Sequence, residues 1–291
     1  MNKKFYCLII LLCIIALPLG GKDSPYKSLV RPGKWLRNIK VPLGVEDRSV
    51  TVQIYFPASY TGKERTLIGL HGYAGSAKDI EENTSITRHA EEYNFIIVCP
   101  DMGRTMYESQ FYPETEIRWS PVPGAKFIAE ILIPFLKDNF GIARRKKSTG
   151  IFGISTGGRG AILLASLYPD IFGAAAGISG DYDPLSMTHD RLLKTVYGNY
   201  DSFRERWEND DNILKLCENL KKTSVMLVHG AKDYITPREQ SLVLAMKLKQ
   251  LQKKSGGYDF QYLEKKHQAR DWKFWKGVLI DVMAFFSEKL T

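Results

Sequence analysis

Residues 149–161 read TGIFGISTGGRGA and contain the pattern Gly-x-Ser-x-Gly at positions 153–157. The residues at 149–152 can form a buried strand, and the small residues after the pattern can begin a helix. A serine on a sharp strand-to-helix turn presents its hydroxyl at the end of a sheet, and the flanking glycines let strand and helix pack closely. The stretch therefore predicts that Ser155 is a nucleophile on a strand-turn-helix motif.

Strand-like and helix-like segments alternate on both sides of this motif. Apolar and alternating runs predict strands at 49–56, 66–70, 95–99, 148–154, 173–179, 224–229 and 258–263. Apolar residues at helical spacing predict helices at 80–93, 125–140, 158–168, 241–254 and 272–289. The alternation predicts an α/β fold with a mostly parallel sheet and helices on both faces. We expect one catalytic domain over residues 22–291, with a helical excursion at about 184–222.

A serine nucleophile needs a base, and the base needs a carboxylate to orient it. The histidines downstream of Ser155 are His189, His229 and His267. His267 follows the last predicted strand and precedes the last helix, so its place in the chain order nucleophile, acid, histidine predicts the general base. We expect His229 to be packed at a strand end and His189 to lie on the surface.

The acidic member of the site is predicted to be Asp233, in the loop after the strand at 224–229. Asp181 and Asp183 are the alternatives, because they follow the preceding strand. We expect these two to form the turn before Pro184. Asp271 is too close to the histidine in sequence to be favoured.

Acyl transfer creates an oxyanion, which backbone N–H groups commonly stabilise. The expected donors are the N–H groups of Thr156, directly after the nucleophile, and of Tyr73, in the glycine-rich loop after the strand at 66–70. His71 is expected to brace that loop. In the segment after residue 101, Tyr107 and Trp119 are candidates for substrate binding or for ordinary loop packing, and the sequence favours neither.

The N-terminal segment is predicted to be a signal peptide over about residues 1–21. Lys3 and Lys4 precede an apolar run at 5–19 that ends in two glycines, which is typical of secretion signals and too short to span a bilayer comfortably. We therefore expect a secreted or periplasmic protein without stable membrane insertion; an uncleaved anchor is the alternative. The two cysteines outside this segment, Cys99 and Cys217, are expected to be free.

The net charge of the chain is +9. Its basic residues form short clusters rather than a stripe with interleaved aromatic residues, so nucleic-acid binding is not expected. No cysteine or histidine spacing indicates a metal site, and no cofactor is expected.

The chain resembles the esterase D and feruloyl-esterase-like branch of the α/β hydrolases. The likeness rests on the stretches LHGYAGS (70–76), VCPD (98–101), FIAEILIPFLKDNFG (127–141), FGISTGGRGAILLASLYPDIFGAAAGISG (152–180) and GAKDYITP (230–237). The resemblance implies an α/β-hydrolase fold, cofactor-free hydrolysis of esters and thioesters of small acyl groups, and a Ser155–Asp233–His267 triad. In many relatives a tryptophan stands two residues after the histidine, whereas here residues 268–271 intervene before Trp272. We therefore expect the site entrance to differ.

Together these features predict a serine carboxylesterase that forms an acyl-enzyme intermediate. Acetyl or feruloyl esters of polysaccharides and other short-chain esters are the expected substrates. The alternatives are a non-catalytic surface binding protein with the same fold and a serine peptidase, which uses the same catalytic groups.

Overall fold

The computed structural model describes residues 24–291, and within them the chain forms one eight-stranded sheet. The strands are β1 (Lys34–Pro42), β2 (Ser49–Phe56), β3 (Arg65–Leu70), β4 (Phe95–Pro100), β5 (Thr149–Ile154), β6 (Ala174–Ile178), β7 (Ser224–Gly230) and β8 (Phe260–Lys265). Their order across the sheet is β1-β2-β4-β3-β5-β6-β7-β8. The pairs β1–β2 and β2–β4 are antiparallel, and every other pair is parallel. The carboxyl ends of β3 to β8 therefore meet at one edge, where α/β sheets commonly hold their ligands.

Helices cover both faces of the sheet. The α-helices are α1 (Asp79–Asn83), α2 (Ile86–Tyr93), α3 (Gly124–Lys126), α4 (Ile133–Phe140), α5 (Thr156–Leu167), α6 (Arg191–Tyr197), α7 (Arg204–Asn209), α8 (Ile213–Leu216), α9 (Glu239–Ser255) and α10 (Trp272–Lys289). A π-helical turn, Phe127–Leu132, joins α3 to α4. Short 3-10 helices lie at Lys27–Leu29, Lys146–Ser148, Pro184–Met187 and Cys217–Lys222. Within residues 24–291 no helix is both apolar enough and long enough to cross a membrane.

Two hydrophobic layers hold the helices to the sheet. The layer on one face contains buried residues of α4, α5 and α9, and the layer on the other contains residues of α2 and α10. Successive residues of β5 point to opposite layers, since Ile151 belongs to the first and Phe152 to the second. Burial of both faces explains why the central strands are continuous apolar runs.

A third, smaller cluster lies under the excursion between β6 and β7. Its buried members are Met106, Tyr112, Leu193, Val196, Tyr197 and Trp207. It joins α6 and α7 to the long loop after β4, so these two segments pack together beside the carboxyl edge of the sheet.

The observed elements agree with the predicted α/β architecture. Strands β2 to β8 lie where the sequence patterns predict them, and α10 has the predicted bounds. The predicted helix at 80–93 is divided into α1 and α2, because Thr84 has an extended backbone. Strand β1 was not predicted. Its alternation is interrupted between Leu36 and Ile39, where the register shifts.

Candidate active site

Ser155 occupies the sharp turn between β5 and α5, as the sequence predicts. Its backbone is strained, with φ 62° and ψ −124°, a conformation that L-residues rarely adopt. The turn is fixed by the Ser155 N–H, which donates to the Ile178 carbonyl at 2.8 Å, and by the Ser155 carbonyl, which accepts from the Arg159 N–H at 3.1 Å. Ser155 is 8% exposed, so its hydroxyl lies just beneath the surface at the carboxyl edge.

Two glycines permit this turn. A Cβ atom at Gly153 would lie 2.1 Å from the Gly157 carbonyl oxygen, and a Cβ at Gly157 would lie 2.4 Å from the Leu70 carbonyl oxygen. Both distances are impossible for a side chain in place. The pattern around Ser155 is therefore required by the close packing of α5 against β5 and the end of β3.

The loop after β3 lies directly against the nucleophile. A Cβ built on Gly72 would be 3.3 Å from Ser155 Cβ and 3.6 Å from Ser155 Oγ. The next backbone N–H in this loop belongs to Tyr73, and within residues 24–291 it donates to no protein acceptor. The N–H of Thr156 is in the first turn of α5, where helix N–H groups lack intrahelical partners. Both predicted oxyanion donors thus belong to backbone segments that adjoin Ser155.

His71 braces this loop, as expected. Its Nδ1 donates to the Gly72 carbonyl at 2.6 Å, and its Nε2 accepts from the Met102 N–H at 2.9 Å. Burial lowers the pKa of His71, which keeps the ring neutral and suited to these two roles. Tyr107 is completely buried, and its hydroxyl donates to the His71 carbonyl at 2.8 Å. The structure therefore gives Tyr107 a supporting position instead of a surface that a substrate reaches.

Trp119 packs edge-on against Phe127, with ring centroids 5.4 Å apart. It also lines a cleft formed by the loop at 101–104 and residues of β2. The lining of this cleft does not include Ser155, so the structure does not bring Trp119 to the nucleophile.

Asp233 lies at the carboxyl end of β7, and its side chain is fully buried. Oδ1 accepts from the N–H groups of Thr236 at 2.9 Å and Ile235 at 3.1 Å. Burial acts to raise the pKa of Asp233, but the nearby His229 ring, the hydrogen bond from the Thr236 N–H and the charge of Arg270 lower it below the ordinary value. Asp233 is therefore a carboxylate at neutral pH.

His229 is the packed strand-end histidine that the sequence predicts. It is fully buried; its Nε2 donates to the Thr236 carbonyl at 2.8 Å and lies 3.4 Å from Asp233 Oδ2. Its Nδ1 faces the Ser241 hydroxyl at 2.7 Å. These contacts fix the loop that carries Asp233.

The side chain that joins Asp233 to Ser155 is Arg270. One of its terminal nitrogens, Nη2, donates to Ser155 Oγ, and the other, Nη1, lies 3.3 Å from Asp233 Oδ2. Nη1 also donates to the Thr236 hydroxyl at 2.8 Å and to the Ser179 carbonyl at 3.1 Å. Sequence reasoning missed this residue. A signal for it exists: Arg270 stands two residues before Trp272, the spacing at which many relatives keep their histidine.

His267 is exposed in the segment after β8. Within residues 24–291 its side chain makes no hydrogen bond or ion pair, and the polar partners of Ser155 and Asp233 do not include it. The structure thus brings Ser155 and Asp233 to one place but fills the position between them with Arg270. The role of His267 as general base stays a prediction from the sequence.

The remaining candidate acids have structural partners. Asp181 forms an ion pair with buried Arg159 at 3.3 Å, and Asp183 accepts from the Leu185 N–H at the start of the 3-10 helix Pro184–Met187. Asp271 caps α10 by accepting from the Phe274 N–H at 2.8 Å. His189 is exposed, as expected.

No group of three or more His, Cys, Asp and Glu side chains converges on a metal-sized position within residues 24–291. Cys99 and Cys217 are both buried and free, as predicted. The predicted signal peptide at 1–21 lies outside the described residues.

Comparison with known proteins identifies the family. The model of the family described as Putative esterase matches residues 45–286. The chain is 24% identical over 241 residues to an acetyl esterase of Caldicellulosiruptor saccharolyticus, covering 77% of this chain and 84% of that protein. It is also 24% identical over 170 residues to feruloyl esterase B of Neurospora crassa, covering 57% of this chain and 53% of that protein.

Solved structures agree on the fold. The chain superposes on FphF, a fluorophosphonate-binding serine hydrolase of Staphylococcus aureus, with a TM-score of 0.70 and 18% identity, covering 88% of this chain and 99% of that one. The protein therefore has the α/β-hydrolase fold and belongs to the esterase family. It is a carboxylic ester hydrolase.

Proposed function

We propose that this protein hydrolyses carboxylic esters by transferring the acyl group to Ser155. The observation that carries the proposal is the strained backbone of Ser155 at the β5–α5 turn. Strain of this kind is retained where the surrounding structure enforces it, and here it holds a hydroxyl at the carboxyl edge of the sheet.

The surroundings of Ser155 suit acyl transfer. When Ser155 Oγ attacks an ester carbonyl, negative charge develops on the carbonyl oxygen. The N–H groups of Tyr73 and Thr156 are the proposed donors to that oxygen, and α5 adds the positive end of its dipole. In serine hydrolases such a donor contributes about 10²–10³ in kcat. Asp233 is the proposed acidic member, because it is a buried carboxylate on the loop beside the nucleophile.

The contacts of Ser155 bear on which residue acts as its general base. The predicted base, His267, makes no hydrogen bond to Ser155, whose Oγ accepts from Arg270 Nη2 within residues 24–291. For His267 to act as the base, we infer that the segment after β8 rearranges and Arg270 withdraws. The same contact favours the second candidate function, binding of an ester or acid without turnover, since an arginine side chain stays protonated and accepts no proton.

For the substrate we propose short-chain esters, including acetyl or feruloyl groups on polysaccharides. The similarity to an acetyl esterase and to a feruloyl esterase supports this choice. We also propose that the protein acts outside the cytosol, on the strength of the basic and apolar pattern of residues 1–21. N-terminal sequencing of protein recovered from the exported fraction tests the second point: a start near residue 22 supports it, and an intact Met1 contradicts it.

The test of function is hydrolysis of p-nitrophenyl esters from acetate to octanoate by the full chain and by Ser155→Ala. We expect the full chain to release nitrophenol and Ser155→Ala to release it no faster than buffer without protein. The preference for acyl length then reports the size of the acyl pocket. The matched control is Ser255→Ala, which removes an exposed serine hydroxyl at the end of α9, outside the site. Absence of turnover from a folded protein on every ester would favour binding without turnover.

A further inference from the structure

We propose that Arg270, in place of a histidine, is the side chain that acts on Ser155 in this protein. The site then depends on hydroxide from solvent as the base and prefers esters whose leaving groups depart without protonation. The inference rests on the proposed role of Ser155 as nucleophile. It concerns the side chain beside that nucleophile, where this chain departs from the histidine that the family resemblance implies.

Several hydrogen bonds hold the Arg270 side chain in the site. Its side chain is 14% exposed, and Nη1 reaches three acceptors on two loops: Asp233 and Thr236 after β7, and the carbonyl of Ser179 after β6. Hydrogen bonds to a charged group in a shielded position are strong, so withdrawal of the guanidinium would break several of them together.

The start of α10 fixes the position of Arg270 along the chain. Asp271, the next residue, caps this helix, and Trp275 Nε1 donates to the Ser179 hydroxyl at 3.2 Å. Arg270 is therefore held between a capped helix and the end of β6. This anchoring argues against an exchange in which exposed His267, three residues earlier, moves to Ser155.

The chemistry of the site follows from the guanidinium. It has five N–H donors and no acceptor, so it donates to Ser155 Oγ but cannot take the proton of the hydroxyl. In the proposed reaction, solvent hydroxide removes that proton as water while Oγ forms a bond to the acyl carbon. The bond to the leaving oxygen or sulfur then breaks, and the leaving group departs with the electron pair. A second hydroxide attacks the acyl-serine and restores Ser155 with release of the carboxylate.

Leaving-group acidity should determine which esters react. A histidine gives its proton to the departing alcohol in the usual mechanism, whereas the side chain that hydrogen-bonds Ser155 Oγ within residues 24–291 is that of Arg270. Phenols and thiols leave readily as anions, whereas alkyl alcohols do not. Among short-chain esters, those with an acidic leaving group should therefore react faster than alkyl esters. The acetyl and feruloyl sugar esters proposed above release an alkyl alcohol and should be cleaved slowly.

The experiment compares the full chain with Arg270→His, Arg270→Gln and His267→Ala. The rates measured are hydrolysis of p-nitrophenyl acetate and of ethyl acetate between pH 5.5 and 9, with Ser155→Ala as the background. For the natural chain we expect a rate that rises about tenfold per pH unit without a plateau, and His267→Ala should stay within about twofold of it. Arg270→His should gain about 10²-fold or more at pH 7 on both esters, with a plateau above the histidine titration, since general bases contribute about 10²–10⁴. Arg270→Gln should show no such gain.

Two results would overturn the inference without relying on the folding of an Arg270 variant. One is a plateau in the pH profile of the natural chain near pH 6–7, and the other is loss of hydrolysis in His267→Ala. Either would establish a histidine base in the working enzyme. If Ser155→Ala hydrolyses the esters as fast as the natural chain, the proposed nucleophile fails instead, so the two failures are distinguishable.

Discussion

Arg159 is the buried charge on which the packing behind the nucleophile depends, and replacing it should destabilise the fold strongly. It lies in the first turns of α5, is 2% exposed, and forms an ion pair with Asp181 at 3.3 Å. Its guanidinium also donates to the Tyr197 hydroxyl at 2.9 Å and to the carbonyls of Met106 and Asp211, both at 3.2 Å. Removing one partner of a buried pair costs about 3–5 kcal/mol, because the other charge is left without compensation. We expect Arg159→Met to lower the free energy of unfolding by about that amount.

Urea denaturation followed by tryptophan fluorescence measures this loss. With a slope of about 3 kcal/mol per molar urea, the midpoint should fall by about 1–1.7 M. The control is Arg238→Met, which removes an exposed arginine with two acidic neighbours and should shift the midpoint far less. The double variant Arg159→Met/Asp181→Asn should recover part of the loss. A change below about 1 kcal/mol in Arg159→Met would refute the reasoning.

Three further predictions concern groups around the site. Burial raises the pKa of Glu108 to about 7, although backbone hydrogen bonds to its carboxyl group act to lower it. Because this pKa is higher in the folded than in the unfolded state, Glu108 contributes stability below about pH 4.5, and this contribution is lost as pH rises through 7. Glu108→Gln should therefore flatten the fall in Tm between pH 5 and 8, and an unchanged profile would contradict this. Tyr107→Phe leaves the buried His71 carbonyl without its donor and should cost about 1–3 kcal/mol in urea denaturation; full stability would count against the bracing role. Burial raises the pKa of Cys217 to about 11 and that of Cys99 further, so both thiols should be unreactive at pH 8. After brief treatment of the native protein with a thiol reagent, the peptides that contain these cysteines should be unlabelled, whereas after denaturation both should be labelled.

The sheet was predictable wherever burial gives a strand a continuous apolar pattern. β4 and β5 have both faces covered, so their sequences read as strands without knowledge of the rest of the chain. β1 was not predictable, because it is an edge strand whose register breaks beside Asn38, a residue with φ 61°. The segment forms a strand because it pairs with β2, and that pairing cannot be read from the local sequence pattern.

The helix before the nucleophile shows a different limit. Apolar spacing predicts one helix at 125–140, and the structure has a helical segment there with a π-helical turn at Phe127–Leu132. A π turn changes the hydrogen bonds to an i→i+5 pattern while the chain stays helical. Sequence spacing therefore locates the helix but does not reveal the turn.

The positions of Ser155 and Asp233 at the carboxyl edge of the sheet were predictable because each follows a strand in a recognisable local motif. Their catalytic roles stay predictions. The contact of Arg270 was not predictable, since it depends on the carboxyl ends of β6 and β7 and on the course of the chain after β8. The sequence prediction looked for a histidine and therefore named His267. In the structure the position between Ser155 and Asp233 is occupied by Arg270 instead.

The most direct test of the central claim is to look for the acyl group on Ser155. The full chain is mixed with p-nitrophenyl acetate, quenched in acid within seconds, digested and examined by mass spectrometry. The account predicts one acetyl group on the peptide that contains Ser155, absent from Ser155→Ala. Release of nitrophenol by the folded natural chain with no acetyl on that peptide, and at the same rate in Ser155→Ala, would contradict it.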